Sequence, residues 1–388
     1  MSGVIKLKDN IYNVGVSDNK IDLFEGQYVV KNGMRYNSYL ILDDKIALMD
    51  TVDKNFTQEW LDNIKEVLNG KEPDYLIIHH MEPDHSANIE NFMNQYKKTI
   101  IVSSLKAFQM MDNFFHTSFK DRQLVVSENS ELDLGNHKLH FMTAPMVHWP
   151  EVIVSYEEKD KILFSADAFG KFGKQTTTDN WLDEARRYYI GIVGKYGVQV
   201  QNLLKKVSQF DISMICSLHG PALSDNLAYY LNYYNLWSTY KPEEKGLLIA
   251  YTSVYGHTKE AVEKLKEELI KSGYHNVEVV DLARSDMSEC VAKAFKYSTL
   301  VLSTTTYNAD IYPFMKEFIN HLTERNFSNR KIGLIENGSW APMANKVMKE
   351  MFEKSKNLDF IGEVHIKSAL NEDSMNELMN LKEALLNN

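Results

Sequence analysis

The chain has 388 residues, a formal net charge of −10 and a composition that is 44% hydrophobic and 25% charged. This length predicts two or three globular domains, and the acidic balance argues against nucleic acid as a partner. No uncharged apolar run reaches the roughly 18 residues that a membrane span requires, and residues 1–6 lack the apolar core of a signal peptide. Cys216 and Cys290 lie far apart, which argues against a disulfide framework, a thiolate zinc site or an iron–sulfur cluster. We therefore expect a cytoplasmic protein without membrane contact.

The first part of the chain, up to about residue 170, is rich in short apolar segments of the strand type. The predicted strands are Val4–Lys6, Ile11–Val16, Tyr39–Leu42, Ile46–Met49, Tyr75–Ile78, Ile100–Ser103, Gln123–Val126, Lys138–Thr143, Val152–Tyr156 and Ile162–Phe164. Helical spacing predicts helices at Asn55–Leu68 and Ser104–Asn113. It then predicts a helical run from Trp181 to Ser208, a strand at Ile212–Cys216 and a helix at Leu223–Tyr240. This succession indicates two packed sheets with helices outside them.

Strands and helices alternate strictly after Lys241–Gly246, a segment with charges, Pro and Gly where we place the domain boundary. The predicted order is strand Leu247–Tyr251, helix Thr258–Ser272, strand Val277–Asp281, helix Ser288–Lys296, strand Leu300–Ser303, helix Pro313–Thr323, strand Ile332–Glu336, helix Pro342–Lys354, strand Gly362–Ile366 and helix Glu372–Leu386. Such alternation predicts a doubly wound parallel sheet. The predicted domains are therefore residues 1–242 and 246–388.

The segment His79-His80-Met81-Glu82-Pro83-Asp84-His85 holds five side chains able to bind metal, directly after the predicted strand Tyr75–Ile78. Imidazoles and carboxylates crowded at a strand end repel one another or stay hydrated unless a cation joins them. A metal site is therefore our first hypothesis. The alternative is an ordinary solvated loop after a strand.

Three further candidate ligands, His148, Asp167 and His219, each follow a later predicted strand. Taken alone, each is typical of an ordinary loop or turn. One fold can nevertheless bring all three to the same edge as the cluster, because each lies just past an apolar strand. The set then contains seven ligands, enough for two metals that share a carboxylate.

The ligand order resembles that of the metallo-β-lactamase fold, in which His-x-[His or Glu]-x-Asp-His is followed by His, Asp and His. With Glu82 in the third position and a flavodoxin-like domain behind it, the chain resembles the flavodiiron proteins, or A-type flavoproteins. The spacings from His85 to His148 and from His148 to Asp167 are close to those of the family, whereas the segment from Asp167 to His219 is shorter. The resemblance covers nearly the whole sequence. It is to the short form of the family, since the sequence shows no rubredoxin module with its four cysteines.

This resemblance implies an αββα metallo-β-lactamase-like sandwich followed by a flavodoxin-like, doubly wound, five-stranded parallel sheet. It makes His80, Glu82 and His148 ligands of one iron. It makes Asp84, His85 and His219 ligands of the other iron, with Asp167 as the carboxylate bridge. Three carboxylates also favour a hard, redox-capable ion over the nitrogen-rich setting typical of zinc. His79 and Glu151 lie beside the motif, where they either support the ligands or serve the core.

Three loops at the carboxyl ends of predicted strands resemble the FMN-binding loops of flavodoxins. Hydroxyls and free N–H groups at a helix N-terminus suit a phosphate, and the first loop is neither a Walker loop nor G-x-G-x-x-G. An ordinary capped turn is the alternative for that loop alone. The residues implied for the phosphate are Thr252, Ser253, Val254, Tyr255, Gly256, His257 and Thr258. Those implied for the ring are Thr304, Thr305, Thr306, Tyr307 and Asn308 on one side, and Asn337, Gly338, Ser339 and Trp340 on the other.

The resemblance implies an oxidoreductase that reduces dioxygen to water, nitric oxide to nitrous oxide, or both, at two irons supplied with electrons by FMN. The electron donor is then a separate carrier, either rubredoxin-like or a deazaflavin cofactor. A head-to-tail homodimer, alone or in a dimer of dimers, is implied because the FMN of one chain serves the irons of the other. Tyr196 and His79 are candidate proton donors.

Two other functions fit parts of the sequence. A zinc-dependent hydrolase of the metallo-β-lactamase fold, fused to a flavodoxin-like module, would use a metal-bound hydroxide. The flavin loops argue against it because hydrolysis has no use for a redox cofactor. A flavodoxin-like carrier with a metal-free docking module would require the seven ligand residues to coincide by chance.

Overall fold

The structure is a computed structural model that describes residues 3–117, 119–179 and 181–387. Its internal contacts divide the chain between Asn235 and Leu236 into two compact units, called unit 1 and unit 2 below. The predicted boundary at residues 241–246 stays a prediction, and the outer domain bounds at residues 1 and 388 lie outside the described residues. Within the described ranges, none of the helices combines the length and apolarity that crossing a membrane demands.

Unit 1 is built mainly from short strands. The strands are β1 Ile5–Lys8, β2 Ile11–Asn13, β3 Val16–Asp18, β4 Leu23–Phe24, β5 Tyr28–Val29, β6 Met34–Tyr36, β7 Tyr39–Ile41, β8 Ala47–Met49, β9 Tyr75–Ile77, β10 Ile100–Ser103, β11 Gln123–Val125, β12 Glu131–Asp133, β13 Lys138–Thr143, β14 Ile153–Glu157, β15 Ile162–Phe164 and β16 Met214–Cys216. The helices are α1 Thr57–Leu68, α2 Pro83–Ser86, α3 Ile89–Gln95, α4 Leu105–Phe115, α5 Trp181–Tyr188 and α6 Gly197–Val207, followed by α7 Leu227–Ser238, which contains the division point.

The strands form two large sheets that pack face to face. One has seven strands in the order β1-β2-β7-β8-β9-β10-β11, and the other has five in the order β12 to β16. Alternation along β8 shows how the layers arise, since Ala47 and Met49 lie in the core between the sheets with Phe141. Leu48 points the other way, into the core under α1 with Trp60. The predicted αββα sandwich is confirmed.

Strand direction gathers the candidate ligands at one edge. β15 and β16 are parallel, so the segments after them, which carry Asp167 and His219, leave the sheet at the same end. β13 pairs antiparallel with β14, which pairs antiparallel with β15, so the segment after β13 leaves there too. In the other sheet, β8 and β9 are parallel and end beside Asp50 and His79.

Unit 2 is a doubly wound sheet. Its strands are β17 Glu244–Tyr251, β18 Val277–Asp281, β19 Tyr297–Tyr307, β20 Asp310–Ile311, β21 Arg330–Asn337 and β22 Leu358–Ile366. Its helices are α8 His257–Lys271, α9 Met287–Lys296, α10 Pro313–Glu324, α11 Ala344–Met351 and α12 Glu372–Leu386. The order β18-β17-β19-β21-β22 is parallel throughout, as in flavodoxins, and β20 is an added antiparallel strand on β19. The predicted five-stranded parallel sheet is confirmed.

Several local predictions were wrong. β19 continues to Tyr307 instead of ending at Ser303, because Thr306 and Tyr307 pair with β20. The predicted helical run from Trp181 to Ser208 is present, but a π-helix at Tyr189–Val193 and a 3₁₀ turn divide it into α5 and α6. The strands between Leu23 and Tyr36 were missed because segments of two or three residues carry no readable periodicity.

Candidate metal centre and cofactor pocket

All seven predicted metal ligands come together in unit 1. They form two groups of donor atoms, which we call the first and second positions. The first position comprises His80, Glu82, His148 and Asp167, and the second comprises Asp84, His85 and His219. Loop Ile78–Glu82 follows β9, and the single turn of α2, with Pro83 in its first turn, then presents Asp84 and His85.

The donor atoms of the first position lie close to one another. His80 Nε2 lies 3.2 Å from His148 Nε2 and 3.3 Å from Glu82 Oε2. His148 Nε2 lies 3.1 Å from Glu82 Oε2. Donor atoms bound to one ion at about 2.1 Å lie about 3.0–3.4 Å apart, so these separations fit a shared cation.

The second position repeats this arrangement with Asp84, His85 and His219. His85 Nε2 lies 3.0 Å from His219 Nε2. Asp84 Oδ2 lies 3.3 Å from the Nε2 atom of each imidazole. The second position is therefore an equally compact set of one carboxylate and two imidazoles.

Asp167 links the two positions through its two carboxylate oxygens. Oδ2 lies 3.0 Å from His148 Nε2 and 3.6 Å from His80 Nε2, on the side of the first position. Oδ1 lies 3.7 Å from His219 Nε2 and 3.8 Å from His85 Nε2, on the side of the second. One carboxylate thus faces both groups, as a bridge between two cations would.

Unsatisfied polar atoms show that the cluster fits metal ions. Among the described residues, Asp84 Oδ1 and Oδ2 and Asp167 Oδ1 are buried and have no hydrogen-bond partner. Leaving carboxylate oxygens buried and unpaired is costly unless a cation compensates them. The donor set, three carboxylates and four imidazoles, supplies the ligands that two such cations need.

Contacts outside the cluster fix the orientation of two imidazoles. His80 donates from Nδ1 to Glu151 Oε1 at 2.9 Å, and His219 donates from Nδ1 to the backbone carbonyl of Arg35 at 2.8 Å. Because carboxylate and carbonyl oxygens only accept, Nδ1 carries a proton in both rings, and Nε2 is the atom that faces the centre.

His79, the other histidine of the motif, points away from the ligands. It bonds through Nδ1 to Asp50 Oδ2 at 2.6 Å and through Nε2 to Ser155 Oγ at 2.8 Å. All three side chains are buried. His79 therefore joins the seven-stranded sheet to β14 of the other sheet. These contacts hold in place the loop Ile78–Glu82, which carries two of the candidate ligands.

Aromatic rings surround the second position. Ring centroids of Phe24, Tyr36 and Tyr188 lie 5.4, 5.9 and 5.4 Å from that of His219. The hydroxyl of Tyr188 is buried and has no hydrogen-bond partner among the described residues. The sequence does not predict these contacts, since β4 and β6, which carry Phe24 and Tyr36, are too short to leave a pattern. The assignment of Tyr196 as a proton donor stays a prediction.

The cluster is strongly polarised. Burial opposes charge on His80 and His148, but neighbouring carboxylates outweigh it, raising the pKa of His80 well above its usual value and that of His148 to about 9. Burial likewise opposes charge on Asp167, yet hydrogen bonding to His148 and the nearby imidazoles hold its pKa well below the usual range. Burial lowers the pKa of His85. Negative charge at this centre is thus matched by positive charge, a role that metal ions can take.

Unit 2 contains a cavity of about 540 Å³ at the carboxyl edge of its sheet. The predicted residues that line it are Ser253, Val254, Tyr255, His257, Thr258, Thr305, Thr306, Tyr307, Asn308, Asn337, Gly338, Ser339 and Trp340. The lining residues that were not predicted are Ala309, Ala341, Met343 and Ser368. Thr252 and Thr304 do not line the cavity, because both are buried and bonded to each other through their hydroxyls at 2.6 Å.

The loop before α8 is shaped for a phosphate. Gly256, the residue before the helix, has a φ of +103°, which residues with a side chain rarely adopt. This backbone conformation explains why glycine occupies the position, although Gly256 does not line the cavity. Ser253 Oγ accepts from the backbone N–H groups of Gly256 and Lys259 at 3.1 and 3.3 Å. His257 and Thr258, the first residues of α8, line the cavity at the positive end of the helix dipole, where an anion is stabilised.

Hydroxyl, amide and aromatic side chains make up most of the cavity lining, and the rim is exposed. None of the described residues that line it is Asp, Glu, Lys or Arg. Tyr255 is 93% exposed and Trp340 is 82% exposed, so Trp340 is not a buried structural residue. A flat aromatic ligand with a phosphate tail fits both features.

Comparison with known proteins agrees with this architecture. A family model described as ODP family beta lactamase matches residues 34–220, and a flavodoxin domain model matches residues 248–375. The chain is 29% identical over 364 residues to an uncharacterized protein of Methanocaldococcus jannaschii, an alignment that covers 92% of this chain and 90% of that protein. It is 28% identical over 357 residues to an anaerobic nitric oxide reductase flavorubredoxin of Salmonella paratyphi B, covering 87% of this chain and 72% of the relative.

Solved structures share the fold over the full length. A rubredoxin oxygen:oxidoreductase from the anaerobe Desulfovibrio gigas superposes with a TM-score of 0.91 at 23% identity, covering 99% of this chain and 98% of that one. A flavodiiron protein from Giardia intestinalis gives a TM-score of 0.87 at 21% identity, covering 100% and 98%. With a β-lactamase-like domain, a flavodoxin domain and these relatives, the chain belongs to the flavodiiron proteins.

Proposed function

We propose that the protein is an oxidoreductase that reduces dioxygen to water, nitric oxide to nitrous oxide, or both, at a diiron centre supplied with electrons by FMN. The observation that carries this proposal is Asp167, whose two oxygens face two separate groups of donor atoms. The names of two relatives, a nitric oxide reductase flavorubredoxin and a rubredoxin oxygen:oxidoreductase, support the two candidate substrates.

We assign iron to both positions. His80, Glu82 and His148 would hold the first iron, Asp84, His85 and His219 the second, and Asp167 both. The three carboxylates and four imidazoles suit a redox-active ion such as iron. Structural zinc sites, by contrast, are typically made of thiolates and imidazoles. Once bound, the irons and FMN supply the electrons, four to convert dioxygen into two waters or two to convert two nitric oxide molecules into nitrous oxide and water.

The residues of the chain prepare this site for a small substrate. The Nδ1 contacts of His80 and His219 keep both Nε2 lone pairs directed at the ions. Ligand side chains are at most 12% exposed, as at Glu82, and aromatic rings enclose His219. Such enclosure suits a diatomic gas better than an ester or peptide and limits access of water.

We assign FMN to the cavity of unit 2. Its phosphate would bind at Ser253, Thr258 and the first turn of α8, and its ring would lie between the loop ending at Asn308 and the loop at Trp340. Thr252, Thr304 and Gly256 would then support the binding loops from positions outside the cavity lining.

We further propose that electrons come from a small separate carrier, a rubredoxin-like protein or a deazaflavin cofactor. A head-to-tail homodimer, or a dimer of dimers, would place the FMN of one chain at the irons of another. The exposed Tyr255 and Trp340 at the rim of the cavity support this part of the proposal, because they form an apolar surface that a partner would cover.

The direct test is anaerobic purification of the full chain, followed by metal and flavin analysis and by turnover with each gas separately. We expect close to two irons and one FMN per chain, and reductant-dependent consumption of dioxygen or nitric oxide. Comparing the two gases ranks the substrates. Zinc in place of iron, together with no flavin and with ester or amide hydrolysis, would instead support the hydrolase.

A substitution connects this activity to the metal centre. His148→Ala should leave a folded, FMN-binding protein that consumes neither gas. The first position then loses one of its ligands, the imidazole whose Nε2 lies beside Asp167 Oδ2. His140→Ala is the matched control, since His140 lies on β13 and its ion pairs are with the peripheral carboxylates Glu131 and Glu158. Its ring packs against Tyr156 and Phe210. Full gas consumption by the His148 variant would refute the site.

A further inference from the structure

We infer that the two metal positions are unequal, and that Glu151 is the positioning residue that makes the first position the tighter one. The inference rests on the proposed diiron function and adds to it an order of metal retention. The difference in metal affinity arises from the residues that contact the ligands, because these residues differ in charge between the two positions.

Glu151 supports the first position with a buried carboxylate. Its Oε1 accepts from His80 Nδ1 at 2.9 Å and from the backbone N–H of Met81 at 2.9 Å. Its Oε2 is buried and has no hydrogen-bond partner among the described residues. The residue is 2% exposed and its backbone carbonyl accepts from Ser104, so the negative charge is held firmly behind His80.

The second position has only a neutral partner of this kind. His219 Nδ1 donates to the carbonyl of Arg35 at 2.8 Å. His85 Nδ1 is buried and has no hydrogen-bond partner among the described residues. No carboxylate thus supports either imidazole of the second position through its Nδ1 atom in the described part of the chain.

This difference acts on metal affinity in one direction. A carboxylate that accepts the Nδ1 hydrogen makes the imidazole a stronger donor and brings a negative charge close to the cation, whereas a carbonyl contributes only a dipole. Loss of such an outer partner typically weakens metal affinity by about 10- to 100-fold. Apart from the shared Asp167, each position has three ligands of the same types, one carboxylate and two imidazoles, so the charge of Glu151 is what distinguishes them. A chain that holds a single iron should therefore hold it at the first position.

The test is anaerobic titration of the metal-free full-length protein with Fe(II) in competition with a chromophoric chelator. The wild type should show two binding constants at least tenfold apart, and Mössbauer spectra of half-loaded protein with ⁵⁷Fe should show one iron environment. Glu151→Gln keeps both acceptor contacts but removes the charge, so it should weaken the tighter constant by about tenfold or more and leave the weaker one unchanged. A purely structural role would move neither constant in this variant.

Glu157→Gln is the matched control, because Glu157 is also a buried carboxylate but accepts from the backbone N–H groups of Lys159 and Asp160 instead of from a histidine. It should bind both irons as the wild type does. If Glu151→Gln does not fold, His85→Ala provides the second test. That variant should lose the weaker constant and keep the tighter one at the wild-type value.

The outcomes separate this inference from the proposed function. Two irons bound with equal affinity in the wild type, or a tighter constant unchanged by Glu151→Gln, would overturn the inference and leave the diiron centre standing. Loss of the tighter constant in His85→Ala would overturn it as well. A wild-type protein that binds no iron would overturn the proposed function, and the inference with it.

Discussion

The metal centre and the cofactor cavity differ in charge and in exposure to solvent. The metal centre collects buried charges: His80, His85 and Asp167 are almost inaccessible to solvent, and several carboxylate oxygens have no partner among the described residues. The cavity of unit 2 is lined mostly by hydroxyl, amide and aromatic groups, and Trp340 at its rim is 82% exposed. The first region is stable only when its charges are compensated, whereas the second tolerates being empty. We therefore expect metal content and flavin content to respond independently to substitution.

The largest effect is expected for Asp167→Ala, because this carboxylate serves both positions. Iron should fall below one per chain and gas consumption to background, while FMN stays bound. Metal analysis and a gas electrode measure these quantities. Asp121→Ala, at an exposed turn, is the control and should behave as the wild type. Two retained irons in the Asp167 variant would show that the bridge assignment is wrong.

A smaller effect, confined to flavin, is expected for Trp340→Ala. Loss of the stacking partner should weaken FMN binding by about tenfold, and Trp340→Phe should restore most of it. Quenching of FMN fluorescence on binding measures the affinity, and iron content should not change. An affinity equal to that of the wild type would place the flavin ring away from Trp340.

Ser253→Ala should weaken FMN binding by about fivefold, since one hydroxyl that orders two backbone N–H groups of the phosphate loop is lost. Ser253→Thr keeps the hydroxyl and should bind nearly normally. Ser272→Ala, at the other end of α8, is the control. Riboflavin, which lacks the phosphate, should be affected less than FMN; an equal loss for both ligands would argue against a phosphate contact.

The smallest effect concerns acid stability of unit 1. Burial would raise the pKa of Asp43, but hydrogen bonds from Asn136 and His137 hold it well below the usual range. A lowered carboxyl pKa stabilises the fold above about pH 4, and this contribution is lost as the pH falls further. Asp43→Asn should thus lower the free energy of unfolding by about 1 kcal/mol at neutral pH and flatten its decline in acid.

Hydrogen exchange of residues 41–45 and 136–138 between pH 7 and pH 3 measures this difference locally. Flavin retention in unit 2 should be the same in both proteins at each pH. An identical decline in exchange protection for wild type and Asp43→Asn would show that these hydrogen bonds do not set the acid response.

The arrangement of strands and the principal ligands were readable from sequence for physical reasons. Buried strands of three to six residues leave apolar runs, and ligands placed directly after such runs must meet where parallel strands end. His80, His148 and Asp167 all obey this rule. The alternating pattern after residue 246 predicts the parallel sheet in the same way.

The contacts around the ligands were not readable, because they join segments far apart in the chain. The carbonyl of Arg35 meets His219, and the ring of Phe24 meets the same imidazole, although both belong to a region of very short strands. A backbone carbonyl leaves no mark on residue type. The sequence places Glu151 only beside the motif, and its contact with His80 depends on the segment between β13 and β14.

The hydrogen bonds from Asp50 to His79 to Ser155 follow the order of a serine hydrolase triad, with short contacts at both steps. Ser155 is 0% exposed, however, so no acyl donor reaches its hydroxyl. Fluorophosphonate probes should leave it unlabelled in the native protein. A geometric search for esterases would select these three residues. Here they connect the two sheets of unit 1 by hydrogen bonds. Solvent access, and not the arrangement of the atoms, distinguishes this structural use from a catalytic one.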